Sequence, residues 1–226
     1  MMSVYHFVKC GRFANFTPPE AMAKLFGTAN ALPNLPARWN VAPTQDILTV
    51  RHNPETSQRS LDLLRWGLVP HWAKDPSIGS RMINARTEGI AAKPAFRDAF
   101  HRRRCLIPAD VFYEWRKGAD PKAPKQPFAF TGLWEGWKGP DGHWLKTCTI
   151  ITTTANELVA RLHDRMPVIL APRDYARWLG EEAAEEEQLQ GLLRPYPADQ
   201  MVAHPVSREV NSVRNDGAQL LEPIGR

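Results

Sequence analysis

Cysteine is scarce in this chain: three residues in 226, at Cys10, Cys105 and Cys148, with no C-x-x-C pair. That spacing excludes a disulfide framework and a thiolate metal site, and it points to a reducing compartment, the cytoplasm. Long hydrophobic runs are also missing. Val168-Ile169-Leu170-Ala171 is among the longest, far short of a bilayer span, so no membrane partner is expected. Residues Met1 to Asn15 include Tyr5, His6, Lys9 and Arg12 and hold no uninterrupted apolar region, so no secretion signal is read there. There is no Gly/Ser linker, repeat or low-complexity tract.

What the chain does hold is tryptophan and proline. Eight Trp is more than twice a typical share, and 20 Pro points to many short segments joined by stiff turns. With 43% hydrophobic residues the chain can bury a core, and its length allows one large domain or two small ones. The formal charge is +5, yet Glu181, Glu182, Glu185, Glu186 and Glu187 cluster in one run, so the remainder is more basic still. Such a body suits a polyanionic partner, or simply a solvated surface of mixed sign.

The periodicities predict helices from a Thr17 N-cap to a Gly27 stop, over 93–102, 155–162 and 172–179, and an acidic one over 182–193. Strands are predicted at 47–51, 61–66, 105–107, 111–115, 128–131, 133–137, 144–154 and 201–206, with a hairpin turn at Gly139-Pro140-Asp141-Gly142. Strands in the middle and helices at the edges make one α+β domain.

Four segments crowd polar, aromatic and proline residues beyond what propensity requires: Cys10-Gly11-Arg12-Phe13, Asn84-Ala85-Arg86-Thr87-Glu88, Phe112-Tyr113-Glu114-Trp115 and His163-Asp164-Arg165-Met166-Pro167. A Cys, a Glu and a His on separate segments are the ingredients of a nucleophile, an acid/base and an orienting group. Each also has an ordinary structural reading: Cys10 a small core residue, Glu114 a strand residue paired to Arg, His163 a helix C-terminal cap. Strand alternation puts Glu114 on the face of Phe112, where desolvation raises a carboxyl's pKa toward the acid/base range. Trp66 and Trp72 flank a Gly/Pro turn, either as core residues or as faces for stacking nucleobases. His101 with Arg97, Arg102, Arg103 and Arg104 forms a basic patch that suits phosphates or plain solvation.

Taken in order, these segments, together with Trp39-Asn40-Val41-Ala42-Pro43-Thr44, Trp66-Gly67-Leu68-Val69-Pro70, Cys105-Leu106-Ile107-Pro108, Gln126-Pro127-Phe128, Thr152-Thr153-Thr154-Ala155 and His204-Pro205-Val206-Ser207 with Asn211, resemble the SOS response-associated peptidase family. They run from residue 10 to about 217. The resemblance implies a single domain of mixed sheets forming a pseudo-barrel with peripheral helices, acting as a monomer without cofactor or metal. It implies binding of single-stranded DNA at an abasic site and a covalent DNA–protein crosslink in the DNA damage response. By position, Cys10 is the nucleophile, Asn84 orients the reacting group, Glu114 is the general acid/base and His163 assists protonation. Arg12, Arg86 and Arg165 would contact DNA phosphates, and Trp66 and Trp72 would wedge or stack beside the lesion.

The resemblance also implies a Cys freed at the N-terminus by loss of Met, whereas here residues 1–9 precede Cys10. Its nitrogen is then an amide, unable to form an imine. Three explanations follow: an upstream start, removal of the 1–9 extension by a thiol autopeptidase step, or a non-catalytic single-strand-binding module. The first fails alone, because Lys9 is not Met.

Overall fold

A computed structural model describes residues 11–114 and 127–224. Cys10 and Trp115 lie outside them.

The strands are β1 (Phe13–Asn15), β2 (Arg38–Val41), β3 (Asp46–Asn53), β4 (Gln58–Trp66), β5 (Asn84–Arg86), β6 (Arg104–Ala109), β7 (Val111–Phe112), β8 (Phe128–Lys138), β9 (Trp144–Thr154), β10 (Arg165–Pro167) and β11 (Ile169–Leu170). The helices are α1 (Pro19–Phe26), α2 (Arg97–Arg102), α3 (Tyr175–Leu179) and α4 (Glu186–Gly191). β9, β4, β3, β6 and β8 close into a barrel, because β9 pairs in parallel with β4 on one edge and antiparallel with β8 on the other. A small separate sheet, β2-β1-β7, lies beside it.

Alternation along the barrel strands sorts the core into two sides. Ile47, Leu64, Cys105, Ile107, Phe130, Cys148 and Ile150 cluster with Trp66 and with Phe13 of the small sheet. Leu48, Val50, Leu61, Leu106, Leu133 and Ile151 point the other way and meet Met22 and Phe26 of α1, Phe100 of α2, Trp178 of α3 and Leu189 of α4. The first side is cramped: a Cβ on Gly132 would lie 2.8 Å from Ile107 Cδ1 and 2.9 Å from Cys105 Sγ. That explains why 128–138 is one continuous strand where the sequence suggested a break at this glycine. Burial pushes the Cys148 thiol up to about 12 and Cys105 well above its ordinary value, so both are inert core residues at neutral pH.

The hairpin at 139–142, the strand 144–154 and the Gly27 and Gly180 helix stops stand as expected. Other expectations are corrected. Thr17 does not cap α1, because its hydroxyl donates to Asp110 Oδ1 at 2.6 Å and Pro18 holds the N-cap position. Residues 155–162 form only a 3-10 turn, Val159–Arg161, since the Asn156 side chain accepts from Val159 N and donates to Tyr196 O. The helix expected from residue 93 begins at Arg97, and the acidic one is trimmed to Glu186–Gly191 with a Glu185/Gln188 capping box. No strand forms at 201–206; Pro205 has no N–H to give a ladder, and only Val206 bridges Pro223. No helix among the described residues is long and apolar enough to cross a membrane.

Candidate nucleic-acid site

β9 organises the site. Its C-terminal half carries β5 on one edge, in register Asn84 with Ile150 and Arg86 with Thr152, and β10 on the other, Arg165 with Thr154 and Pro167 with Thr152. Cross-strand partners share a face, so Asn84, Arg86 and Arg165 all point to the side where Ile150 meets the small sheet. A narrow crevice with no room for a water lies there, between Arg12, Phe13 and Phe112 on the side of the small sheet and Trp66, Phe130, Ile150 and Pro167 on the other. β1 and β7 pair Phe13 with Phe112, and Tyr113 N donates to Arg12 O at 3.0 Å. Continuing that register sets Glu114 opposite Gly11, on the crevice side with Phe112.

Arg165 is the most firmly placed of these side chains. Its Nη1 donates to Glu88 Oε1 at 2.5 Å, and its Nη2 to Glu88 Oε2 at 3.0 Å and to the Thr152 carbonyl at 2.6 Å. The same carbonyl accepts from Thr87 N at 3.0 Å. The Arg165 backbone N–H donates to His163 Nδ1 at 2.9 Å, with Asp164 Oδ1 at 3.1 Å from the same nitrogen. The charged hydrogen bonds from Arg165 hold the Glu88 carboxyl at about 2, well below its ordinary 4.5, with Arg86 adding to the effect. Because the folded value is depressed, the pair's stabilisation is complete above pH 4.5 and is lost as pH falls toward 2. Glu88 is more than half exposed, so solvent screening limits that stabilisation to about 1 kcal/mol or less. Glu88→Gln should therefore lower the thermal midpoint slightly at pH 7 and by less at pH 2, as followed by circular dichroism. An equal loss at both pH values would show that the side chain acts by packing alone.

One expected DNA contact, Trp66, is corrected, and a second, Arg12, is bonded within the protein. Trp66 is fully buried, and its Nε1 donates to the Ile83 carbonyl at 2.8 Å. It cannot stack on a base; it packs edge-on against Phe13, with centroids 5.4 Å apart, and steadies the strand entering Asn84. Arg12 faces the protein: its Nη1 donates to Asn40 Oδ1 and to the Val210 carbonyl, each at 2.8 Å, and its Nη2 reaches the Asn211 carbonyl at 3.3 Å. Burial lowers its pKa. Trp72 is half exposed as expected, but its loop is tied to the hairpin end of the barrel, where Trp137 Nε1 donates to the Ala73 carbonyl. The structure thus brings Asn84, Arg86 and Arg165 to one face, with His163 bonded to the Arg165 backbone.

Sequence reasoning missed the support beneath this region. Asn40, fully buried, donates through Nδ2 to the carbonyls of Val210, Ser212 and Asn215 at 3.1, 2.9 and 2.7 Å. Asp216 Oδ1 in turn accepts from Trp39 N and Asn40 N. A lone Asn between Trp39 and Val41 in a strand was the available signal. Among the described residues no group of three His, Cys, Asp or Glu can hold a metal ion.

Comparison with known proteins adds the decisive match: residues 9–213 fit the family described as SOS response associated peptidase (SRAP). The chain belongs to the SRAP family. It is 46% identical to "Abasic site processing protein YoqW" of Bacillus subtilis, covering 94% of this chain and 99% of that one. It is 31% identical to "Abasic site processing protein YedK" of Escherichia coli over 95% of this chain and 100% of the relative. A solved protein structure from Bacteroides thetaiotaomicron, at 21% identity and TM-score 0.82 over 95% of this chain and 100% of that one, has the same fold.

Proposed function

We propose that this SRAP chain processes abasic sites in single-stranded DNA by covalent capture through Cys10, acting as a cytoplasmic monomer. The observation that carries it is the gathering of Asn84, Arg86 and Arg165 on one face, with Glu114 opposite Gly11, the residue bonded to Cys10. The names carried by the relatives, abasic site processing proteins, support the same substrate.

The chemistry follows from the functional groups. An abasic deoxyribose opens to an aldehyde at C1′. A free α-amine adds to it and loses water to give an imine, the Cys10 thiolate attacks the imine carbon, and the nitrogen takes up a proton to leave a thiazolidine. Glu114 acts as the acid/base in ring opening and water loss. His163 assists protonation, Asn84 orients the sugar, and Arg86 and Arg165 hold flanking phosphates. With the Lys9–Cys10 amide intact, the thiol alone forms a reversible hemithioacetal. Removal of residues 1–9 by hydrolysis of that amide, with the Cys10 thiol as its own nucleophile in an N-to-S acyl shift, completes the sequence and consumes one water.

The test uses single-stranded DNA in which one uracil has been excised, incubated with the protein and run on a denaturing gel. The expected result is a slow band that Cys10→Ala eliminates. A band unaffected by that substitution, or salt-sensitive binding with no covalent product from protein lacking residues 1–9, overturns the reading.

A further inference from the structure

At the hairpin end of the barrel lies a groove of about 610 Å³, of a size that takes a nucleotide. Its floor is Glu135, whose side chain is only 7% exposed. Oε2 accepts from Arg103 Nη2 at 2.7 Å and stands 3.5 Å from His71 Nδ1, while Oε1 accepts from Gly136 N at 3.0 Å. The other carboxylates bordering the groove are also matched: Asp98 by Arg97 at 3.0 Å, and Glu186 by His101 at 3.6 Å. That leaves Arg102, exposed in the groove with no ion-pair partner among the described residues, and Lys138, whose Nζ stands 6.0 Å over the Trp144 ring.

Trp144 forms the wall. It is 66% exposed, yet its six-membered ring rests over Gly136, where an added Cβ would come within 3.4 Å. The ring is therefore held in place by the neighbouring strand while most of it stays in solvent. A fixed, largely exposed aromatic ring beside cations that lack a carboxylate partner among the described residues is an arrangement that holds an unpaired base without reading its identity. A core tryptophan would be covered, and an ordinary solvated surface would not line a cavity.

Trp144 begins β9, and Thr152, at the centre of the candidate site, lies eight residues along the same strand. At about 3.3 Å per residue the two are roughly 26 Å apart. That is about eight nucleotides of stacked strand at roughly 3.4 Å each.

We propose that this groove is a second subsite for the same nucleic-acid strand: an unpaired nucleotide several positions from the lesion stacks its base on Trp144 and sets its phosphate against Arg102 and Lys138. The inference rests on the proposed function for the nature of the strand, and it adds a length requirement that the covalent step does not have.

The experiment measures binding of fluorescently labelled single-stranded DNA by anisotropy, with strands of roughly 5 and roughly 15 nucleotides. Each is prepared without a lesion and with an abasic residue near either end. The long strand should bind about tenfold tighter than the short one, the lower end of what one stacked base supplies. Trp144→Ala and Arg102→Ala should remove most of that gain, and Trp144→Phe should keep it. Covalent capture of the short abasic strand should be the same in all variants, and their thermal midpoints should match the parent's, since Trp144 and Arg102 are exposed. A length gain that survives Trp144→Ala overturns the subsite, as does a Trp144→Ala loss equal on short and long strands. Failure of the functional reading has a different signature: no covalent product from the parent chain while the lesion-free length gain persists.

Discussion

Asn40→Ala should cost about 3 kcal/mol, the largest stability loss expected for a single polar substitution in this chain. The amide is fully buried and serves three carbonyls while accepting from Arg12. Removing it strands several buried polar groups at about 1–3 kcal/mol each, partly relieved where Arg12 still reaches the Val210 carbonyl. For a chain of this size that is a fall of about 6–12 °C in thermal midpoint. Amide exchange should quicken in two places, the 208–216 segment and β1–β2, because Arg12 loses its partner at the same time. Asp216→Ala removes the two backbone caps of Trp39 and Asn40 and a 3.4 Å ion pair with Arg38, all at a less buried carboxylate, so its effect should be smaller. A loss below about 1 kcal/mol for Asn40→Ala, or exchange confined to the C-terminal segment, would mean the clamp does not support the small sheet.

The second large effect concerns the nitrogen of Cys10. A chain expressed from Cys10, with residues 2–9 deleted so that methionine removal exposes the cysteine, gains an α-amine with pKa about 7.7–8.0 in place of an amide. Relative to full-length protein whose intact mass shows residues 1–9 still attached, the covalent product should change from an adduct that dissociates on a denaturing gel to one that accumulates. Its rate of formation should rise with pH through about 7 to 8 as the amine loses its proton. In that background Glu114→Gln should slow capture by about 10²–10⁴, the usual contribution of a positioned acid/base. A shortened chain that crosslinks no better than full-length protein still carrying residues 1–9 by intact mass would refute a requirement for the free amine. A Glu114→Gln rate within a factor of a few of the parent would remove Glu114 from the proton transfers.

How much of this was legible depends on the range of the interactions. The 144–154 strand, the 139–142 turn and the glycine helix stops rest on local alternation and backbone freedom, and the sequence carries them directly. The gathering of Asn84 and Arg165 on one face depends on both strands pairing with β9, which no local pattern encodes. Trp66 and Arg12 were misjudged for the same reason. The residues left Trp66 open between core and stacking face and the resemblance set both side chains against DNA, while their partners, the carbonyls of Ile83 and Val210, come from segments no local pattern points to. Gly67 shows the converse: its φ of 133° and the approach of the Gly79 carbonyl to 2.6 Å from any Cβ there explain a glycine that the sequence marked only as a turn. Thr17 looked like a local cap and was taken by the distant Asp110.

The clamp at Asn40 also orders events during synthesis. Arg12 finds its carbonyl partner 198 residues downstream and Asn40 170 residues downstream. Chains emerge from the N-terminus first, so the strand that follows Cys10 is made early and stays unsupported until the segment through Asp216 has left the ribosome. A partly made chain therefore carries β1 without its brace, and translation itself withholds the finished small sheet until residue 216 has been made.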